Sequence, residues 1–234
     1  MIRLSVAAVV LALALSGSRA DDKKNPPLEP FNGQDLKGWK LKDEKKNQWR
    51  VMRVTVNDTE PNLFSKSAST TDPYELVNVN PGGCDIYTET KFGDVTVELE
   101  VMIPKGANSG VYLMGEYEVQ IFDSFGKADD KLGQGDMGAL YGTAAPKKNA
   151  SKKPGEWQKF VIEFQGPKFH ADKKVSNAKF VKVTLNDVVL HENVEVKGPT
   201  TSALTGKEAA SGPLMLQGDH GPVAFRNIKI TPKK

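Results

Sequence analysis

A single cysteine, Cys84, stands among 234 residues, so no disulfide can close within the chain. A chain of this length buries an adequate core without one. Cys84 follows Pro81-Gly82-Gly83 with no activating pattern around it, and no nucleophilic role is expected. Histidine is nearly as scarce: His170, His191 and His220 are the whole supply. No H-x-x-x-H or D-x-D-x-D-G spacing marks a metal site. Nowhere is there an apolar run of the roughly 20 residues that a membrane helix needs. Charge of one sign is also lacking, with 32 Lys and Arg against 29 Asp and Glu. Nucleic acids and acidic membrane surfaces select a strongly basic face, so neither is an expected partner. The densest basic cluster, Lys147, Lys148, Lys152 and Lys153, reads as a solvated loop.

What the sequence does hold begins with a short apolar run, Leu4 to Leu15, behind Arg3. Small residues follow from Ser16 to Ala20, with Ser18 and Ala20 at the two positions a signal peptidase reads. This predicts a signal peptide over residues 1–20 and a secreted or periplasmic product. No cysteine follows the cleavage point, so no lipid anchor is expected. Removing Arg3 and Arg19 leaves a net charge of about +1 and no general basicity to explain. Residues 21–28 are charged and carry prolines, which predicts a flexible lead-in. No linker or repeat divides residues 29–234, which read as one domain. Asn57-Asp58-Thr59 and Asn149-Ala150-Ser151 have the glycosylation spacing, relevant only in a host that glycosylates.

Within that domain the hydrophobic period is two. Val95, Val97, Leu99, Val101 and Ile103 point one way, while Thr96, Glu98, Glu100 and Met102 point the other. After a turn at Lys105-Gly106-Ala107-Asn108, one run from Val111 to Phe122 sets Tyr117, Val119 and Ile121 against Glu116, Glu118 and Gln120. Phe160, Ile162 and Phe164 alternate in a third strand, and Val181, Val183 and Leu185 in a fourth. Asn186-Asp187 predicts a hairpin turn into Val188 to Leu190. Leu214 and Leu216 share a face, and Val223 to Ile230 closes the chain. In this last strand the apolar phase slips between Phe225 and Ile228, which predicts a bulge. No segment holds a 3.6-residue period over three turns. Many short strands with regular turns predict an all-β, antiparallel sandwich or barrel.

Several segments fall in the order and spacing of one known family. They are Phe31-Asn32-Gly33 through Gly38-Trp39, Asp85-Ile86-Tyr87-Thr88, Asn108-Ser109-Gly110-Val111-Tyr112 and Tyr117-Glu118-Val119-Gln120-Ile121. Gly138-Ala139-Leu140-Tyr141-Gly142, Gly155-Glu156-Trp157, Leu185-Asn186, Leu216-Gln217 with Asp219-His220-Gly221, and Phe225-Arg226-Asn227-Ile228 complete the set. On these residues the chain resembles the 3-keto-disaccharide hydrolase family. Two features depart from it: Gly218 is inserted between Gln217 and Asp219, and the 127–137 and 147–153 stretches are individual. The resemblance implies a concanavalin A-like jelly roll of two curved antiparallel sheets. It also implies action on glycosides already oxidised to a ketone at carbon 3, by elimination and then hydration.

The period-two reading nominates the chemistry. Residues two apart on a strand lie roughly 6.5 Å apart, within the range of carboxyl separations used for acid–base work on sugars. Glu118, in the segment closest to the family pattern, is the first candidate for base or acid. Glu116 beside it reads as solvent-facing. Asp123, just past the strand, is a candidate acid or orienting group, and Glu100 is a second-choice acid. His220, at a strand end, has a side chain suited to exchanging protons or ligating a metal, or else to bracing a turn. Gln120, Asn108 and Gln217 are candidate sugar-binding amides, and Gln120 could equally cross-link strands. Tyr141 and Trp39 are candidate stacking surfaces, although Trp39 and Trp157 suit the core as well. Arg226 reads as the partner of a strand carboxylate, and His170 and His191 read as structural. No cofactor is evident; a divalent ion is one means of stabilising an enolate, without a motif to support it. Two classes of function remain, a glycoside-cleaving enzyme and a non-catalytic carbohydrate-binding, lectin-like domain, with a structural surface protein as a third. The carbohydrate partner's identity and the oligomeric state are not encoded in any motif.

Overall fold

The computed structural model describes residues 26–233, so the predicted signal peptide and most of the lead-in lie outside the described residues. Leu28, at the end of that lead-in, exchanges two 2.8 Å backbone hydrogen bonds with Ile230. The protein is a concanavalin A-like sandwich of two antiparallel sheets. Five strands run across one sheet in the order Trp39–Leu41, Ile86–Phe92, Gly212–Leu216, Asn108–Leu113 and Tyr117–Phe122. Seven form the other: Val188–Val196, Ala178–Leu185, Gln158–Gln165, Val95–Met102, Val223–Pro232, Glu75–Asn78 and Trp49–Met52. Two small hairpins, Val54–Val56 with Phe64–Lys66 and Lys168–His170 with Lys173–Ser176, complete the described strands.

The core lies between the sheets, built from the residues that alternation turns inward. Val95, Val97, Leu99 and Val101 meet Phe160, Ile162 and Phe164 there, as their period predicts. Val111, Leu113, Tyr117, Val119 and Ile121 face them from the five-stranded sheet. The predicted hairpin turn at Asn186-Asp187 is present, with both residues at positive φ (50° and 66°), as a tight turn between twisted strands demands.

Two readings need correction. The run Val111 to Phe122 is not one strand but a hairpin, turning at Met114 and Gly115 with φ of 56° and 74°. Gly115 supplies the left-handed conformation cheaply, but neither residue interrupts the apolar pattern enough to reveal a turn. Val181 does not share a face with Val183 and Leu185 in the core. The pairing between Gln158–Gln165 and Ala178–Leu185 skips it, Ile162 opposing Val183 and Phe164 opposing Phe180. The bulge predicted in the last strand is present: register shifts between Arg226 and Lys229, with Asn227 at φ 52°.

Candidate functional site

The hairpin Asn108–Leu113 and Tyr117–Phe122 lies at one edge of the five-stranded sheet. Its inward side chains join the core, so Gly110, Tyr112, Glu118 and Gln120 lie on the outer face. Gly110 opposes Gln120, and Tyr112 opposes Glu118. An outer face of an antiparallel sheet is ordinarily wet. Here it is covered: Glu118 and Gln120 are only 4% and 3% exposed.

Two loops do the covering. The 136–144 loop continues the hydrogen-bond ladder beyond the edge strand, with Gln120 N donating to Ala139 O at 2.9 Å and Gly138 N to Gln120 O at 2.8 Å. Tyr141 N reaches Glu118 O at 3.3 Å. A strap of residues 200–206 crosses farther along the same strand. Thr200 N donates to Glu116 O at 2.7 Å, Leu204 N to Gly115 O at 2.8 Å, and Glu118 N to the Thr200 hydroxyl at 3.0 Å. The Glu116 carboxylate, read from the sequence as solvent-facing, is instead buried and anchors this strap. It accepts bonds from Thr205 N (3.0 Å), Thr205 Oγ1 (2.6 Å) and Gly206 N (3.0 Å).

Between the loops opens a small polar cleft with a cavity volume of about 70 Å³, lined by Asn108, Tyr112, Glu118, Gln120, Tyr141, Thr201, Ser202, Gln217 and His220. Six residues nominated from the sequence thus come together: Glu118, His220, Gln120, Asn108, Tyr141 and Gln217. Glu118 lies over Gly110, where a Cβ would collide with its carboxylate. Burial pushes the Glu118 carboxyl up to about 7; the neighbouring Tyr112 hydroxyl and His220 pull it down, while Asp85 and Asp219 push it further up. Burial, and then the charge of Glu118, raise the Tyr112 phenol far above its ordinary range. It stays protonated at any physiological pH, with its single O–H directed at the Glu118 carboxylate.

The amides are ordered by their surroundings. Gln120 Nε2 donates to Asn108 Oδ1 at 2.7 Å, which leaves the Gln120 carbonyl oxygen for other donors. Gln217 is held by its backbone, N to Gly110 O at 2.9 Å and O from Ser109 Oγ at 2.8 Å. Its side-chain Oε1 is buried without a hydrogen-bond partner among the described residues. A buried acceptor in that state is costly. His220 is half-exposed at the mouth, with Nδ1 2.5 Å from Asp219 Oδ1.

Gly218, the residue inserted relative to the family pattern, is what the turn to His220 requires. A Cβ there would strike Cys84 O and the Trp49 indole. Its N donates to Asp85 Oδ1 at 3.2 Å and its O accepts from Asn78 Nδ2 at 2.9 Å. Cys84 itself is buried, its thiol pushed up by burial.

Three nominated residues lie elsewhere. Glu100 is on the outer face of the seven-stranded sheet, across the sandwich from Glu118. It accepts a 2.6 Å bond from Arg226 Nε, and the Arg226 guanidinium stacks 4.1 Å over the Trp157 ring. The carboxylate partner expected for Arg226 is therefore Glu100. Asp123 braces a turn, accepting from Gly106 N at 2.9 Å. Trp39 is a core residue, 7% exposed, its indole N–H bonded to Pro30 O at 2.9 Å. Tyr112, Thr201 and Ser202 line the cleft without having been nominated. Tyr112 belongs to the Val111-Tyr112-Leu113 apolar run, and its outward direction becomes evident only once the turn at Met114 is known. His191 is buried and structural as expected, its Nε2 2.9 Å from Gly138 O and its ring pushed towards neutrality by burial. Among the described residues no three His, Cys, Asp or Glu side chains gather into a metal-ligating group.

Residues 28–231 match the model of a family described as 3-keto-alpha-glucoside-1,2-lyase-like domain. The chain is similar to a Parabacteroides distasonis protein described as a candidate glycosyl hydrolase, with 27% identity and a TM-score of 0.63 over 88% of this chain and 84% of that one. A second protein of that organism, with the same description, shares 17% identity and a TM-score of 0.59 over 89% of this chain and 94% of that one. The second likeness speaks for the fold alone. No match was found among curated proteins. Among the described residues no helix is long and apolar enough to cross a membrane. Family match and structural likeness together make this a glycosyl hydrolase-like β-sandwich domain.

Proposed function

Because the chain belongs to the 3-keto-alpha-glucoside-1,2-lyase-like domain family, we propose that it cleaves glycosides carrying a ketone at carbon 3, by elimination followed by hydration. The observation that carries this reading is Glu118: a carboxyl group buried in a polar cleft, pushed up to about 7. A proton carrier works best with a pKa near the working pH, and a carboxylate left in water would titrate some three pH units lower.

The ketone acidifies the hydrogen on carbon 2. Ionised Glu118 takes that proton, and the C–H electrons pass into an enolate. The enolate then expels the oxygen on carbon 1, leaving a double bond between carbons 1 and 2. His220, braced by Asp219, gives the departing oxygen its proton. Water adds across the double bond, hydroxyl to carbon 1 and proton to carbon 2, so the net reaction is hydrolysis. The Tyr112 hydroxyl, which donates to ionised Glu118, turns to the developing negative oxygen as Glu118 takes the proton. Gln120, Asn108 and Gln217 bind ring hydroxyls, and Tyr141 offers its ring as a stacking surface.

The N-terminal pattern of Arg3, Leu4 to Leu15 and Ser18 with Ala20 supports export, to the periplasm or beyond the cell. One feature favours carbohydrate binding without cleavage: His220 is half-exposed and the other lining groups are mostly amides and hydroxyls. Glu118→Gln separates the two readings. Loss of turnover with retained sugar binding supports the enzyme, while absence of turnover in the parent protein, with saturable glycan binding, supports the lectin-like domain.

A further inference from the structure

The cleft has two walls, the 200–206 strap and the 217–221 turn, and one ion pair reaches both. Lys42 follows the strand Trp39–Leu41, and Asp85 precedes its partner Ile86–Phe92, so strand pairing brings them together. Lys42 Nζ lies 3.1 Å from Asp85 Oδ2 and 3.4 Å from the carbonyl of Ser202 in the strap. The other carboxylate oxygen, Asp85 Oδ1, accepts from Gly218 N at 3.2 Å in the turn. Asp85 is nearly fully buried, while Lys42 keeps part of its ammonium in water. Ser202, the strap residue so held, sits at φ 63°, a conformation that a non-glycine residue holds only when its surroundings impose it.

We propose that Lys42 and Asp85 are positioning residues of this cleft: their ion pair joins the strap carrying Thr201 and Ser202 to the turn carrying Gln217 and His220, and so sets the frame in which Glu118 works. The pair touches no substrate in this scheme; the inference rests on the reading of Glu118 as the proton carrier. Breaking a buried pair by removing one partner disturbs more than removing both, because an uncompensated charge is left behind. The charged and titratable groups that face Glu118 are Tyr112, His220, Asp85 and Asp219. Of these, Asp85 is balanced by Lys42, which makes the pair an electrical as well as a mechanical support.

The test reads Glu118 directly. Protein labelled with 13C at glutamate carboxyls is titrated by NMR, with the Glu118 resonance assigned by its loss in Glu118→Gln. Asp85→Asn removes a negative neighbour, so the Glu118 midpoint falls; Lys42→Met leaves Asp85 unbalanced, so it rises. Each displacement is expected at about half a pH unit or more, and Lys42→Met/Asp85→Asn returns between them. A midpoint unchanged in both single variants would overturn the proposal. On a 3-keto glycoside, Asp85→Asn is also expected to lower kcat about 10- to 100-fold, with its acidic limb following the NMR midpoint. Because the NMR titration needs no substrate, moved midpoints in a protein that turns over no 3-keto glycoside would overturn the proposed reaction and leave the positioning role intact.

Discussion

The two sheets present outer faces of the same kind of sequence and put them to different use. On the seven-stranded sheet, Glu98 lies 3.6 Å from both Lys159 and Lys229, and Glu100 is bound to Arg226. Even its buried glutamate is enclosed: Glu75, pushed up to about 7 by burial, accepts from Val54 N at 3.0 Å beneath the Val54–Val56 hairpin. On the five-stranded sheet, Glu118 is equally buried and equally raised, but it borders a cleft rather than a packed cover. A raised carboxyl is therefore not enough to mark a site. What separates the two glutamates is whether room for a ligand, with unpaired polar groups around it, lies in front of the charge.

The sharpest way to break this comparison is to remove each glutamate's charge. Glu118→Gln is expected to lower turnover of a 3-keto glycoside about 10²- to 10⁴-fold, while Glu75→Gln and Glu100→Gln stay within about twofold of the parent protein; equal losses would show that the cleft has no special role. Next in size is Gly110→Ala. Its methyl would displace the Glu118 carboxylate, with an expected loss of about 100-fold in kcat in a protein that still folds, checked by circular dichroism.

Stability against pH gives a third contrast. The Glu118 carboxyl is raised from 4.5 to about 7 in the folded state, so between those values the folded protein binds the extra proton and stability falls as pH rises. Glu118→Gln lacks this loss. At 1.36 kcal/mol per pH unit it is expected to gain up to about 3 kcal/mol over the parent at pH 8 and nothing at pH 4, read from urea unfolding at the two values. Glu75→Gln has the same sign, raised likewise from 4.5 to about 7, so stability alone does not distinguish the two glutamates, whereas activity does. The smallest effect belongs to Glu100→Gln, whose partly exposed ion pair with Arg226 is worth about 1 kcal/mol, measurable in the same experiment.

Much of the fold was legible because period two survives wherever one strand face meets the core, as from Val95 to Ile103. Parity turned Glu116, Glu118 and Gln120 outward together, the family resemblance singled out Glu118 among them, and strand-end position picked out His220. Parity says only that a side chain points away from the core, not from which sheet. Glu100 and Glu118 share it and stand on opposite outer faces, because the pairing of Val95–Met102 with Gln158–Gln165, far along the chain, decides the sheet. Loops were harder still. Thr201 and Ser202 sit in a strap without periodicity, placed by Glu116 and Lys42 through contacts 89 and 160 residues apart in the chain. Trp39 illustrates the remaining ambiguity, since an aromatic ring suits a sugar and a core equally well.

The most direct test of the central claim is product release from a 3-keto disaccharide and from its unoxidised parent, by residues 21–234 and by the Glu118→Gln variant. Cleavage of the keto sugar alone, lost in the variant, is the predicted result. Cleavage of both sugars at similar rates, or of the keto sugar undiminished by the substitution, would contradict it.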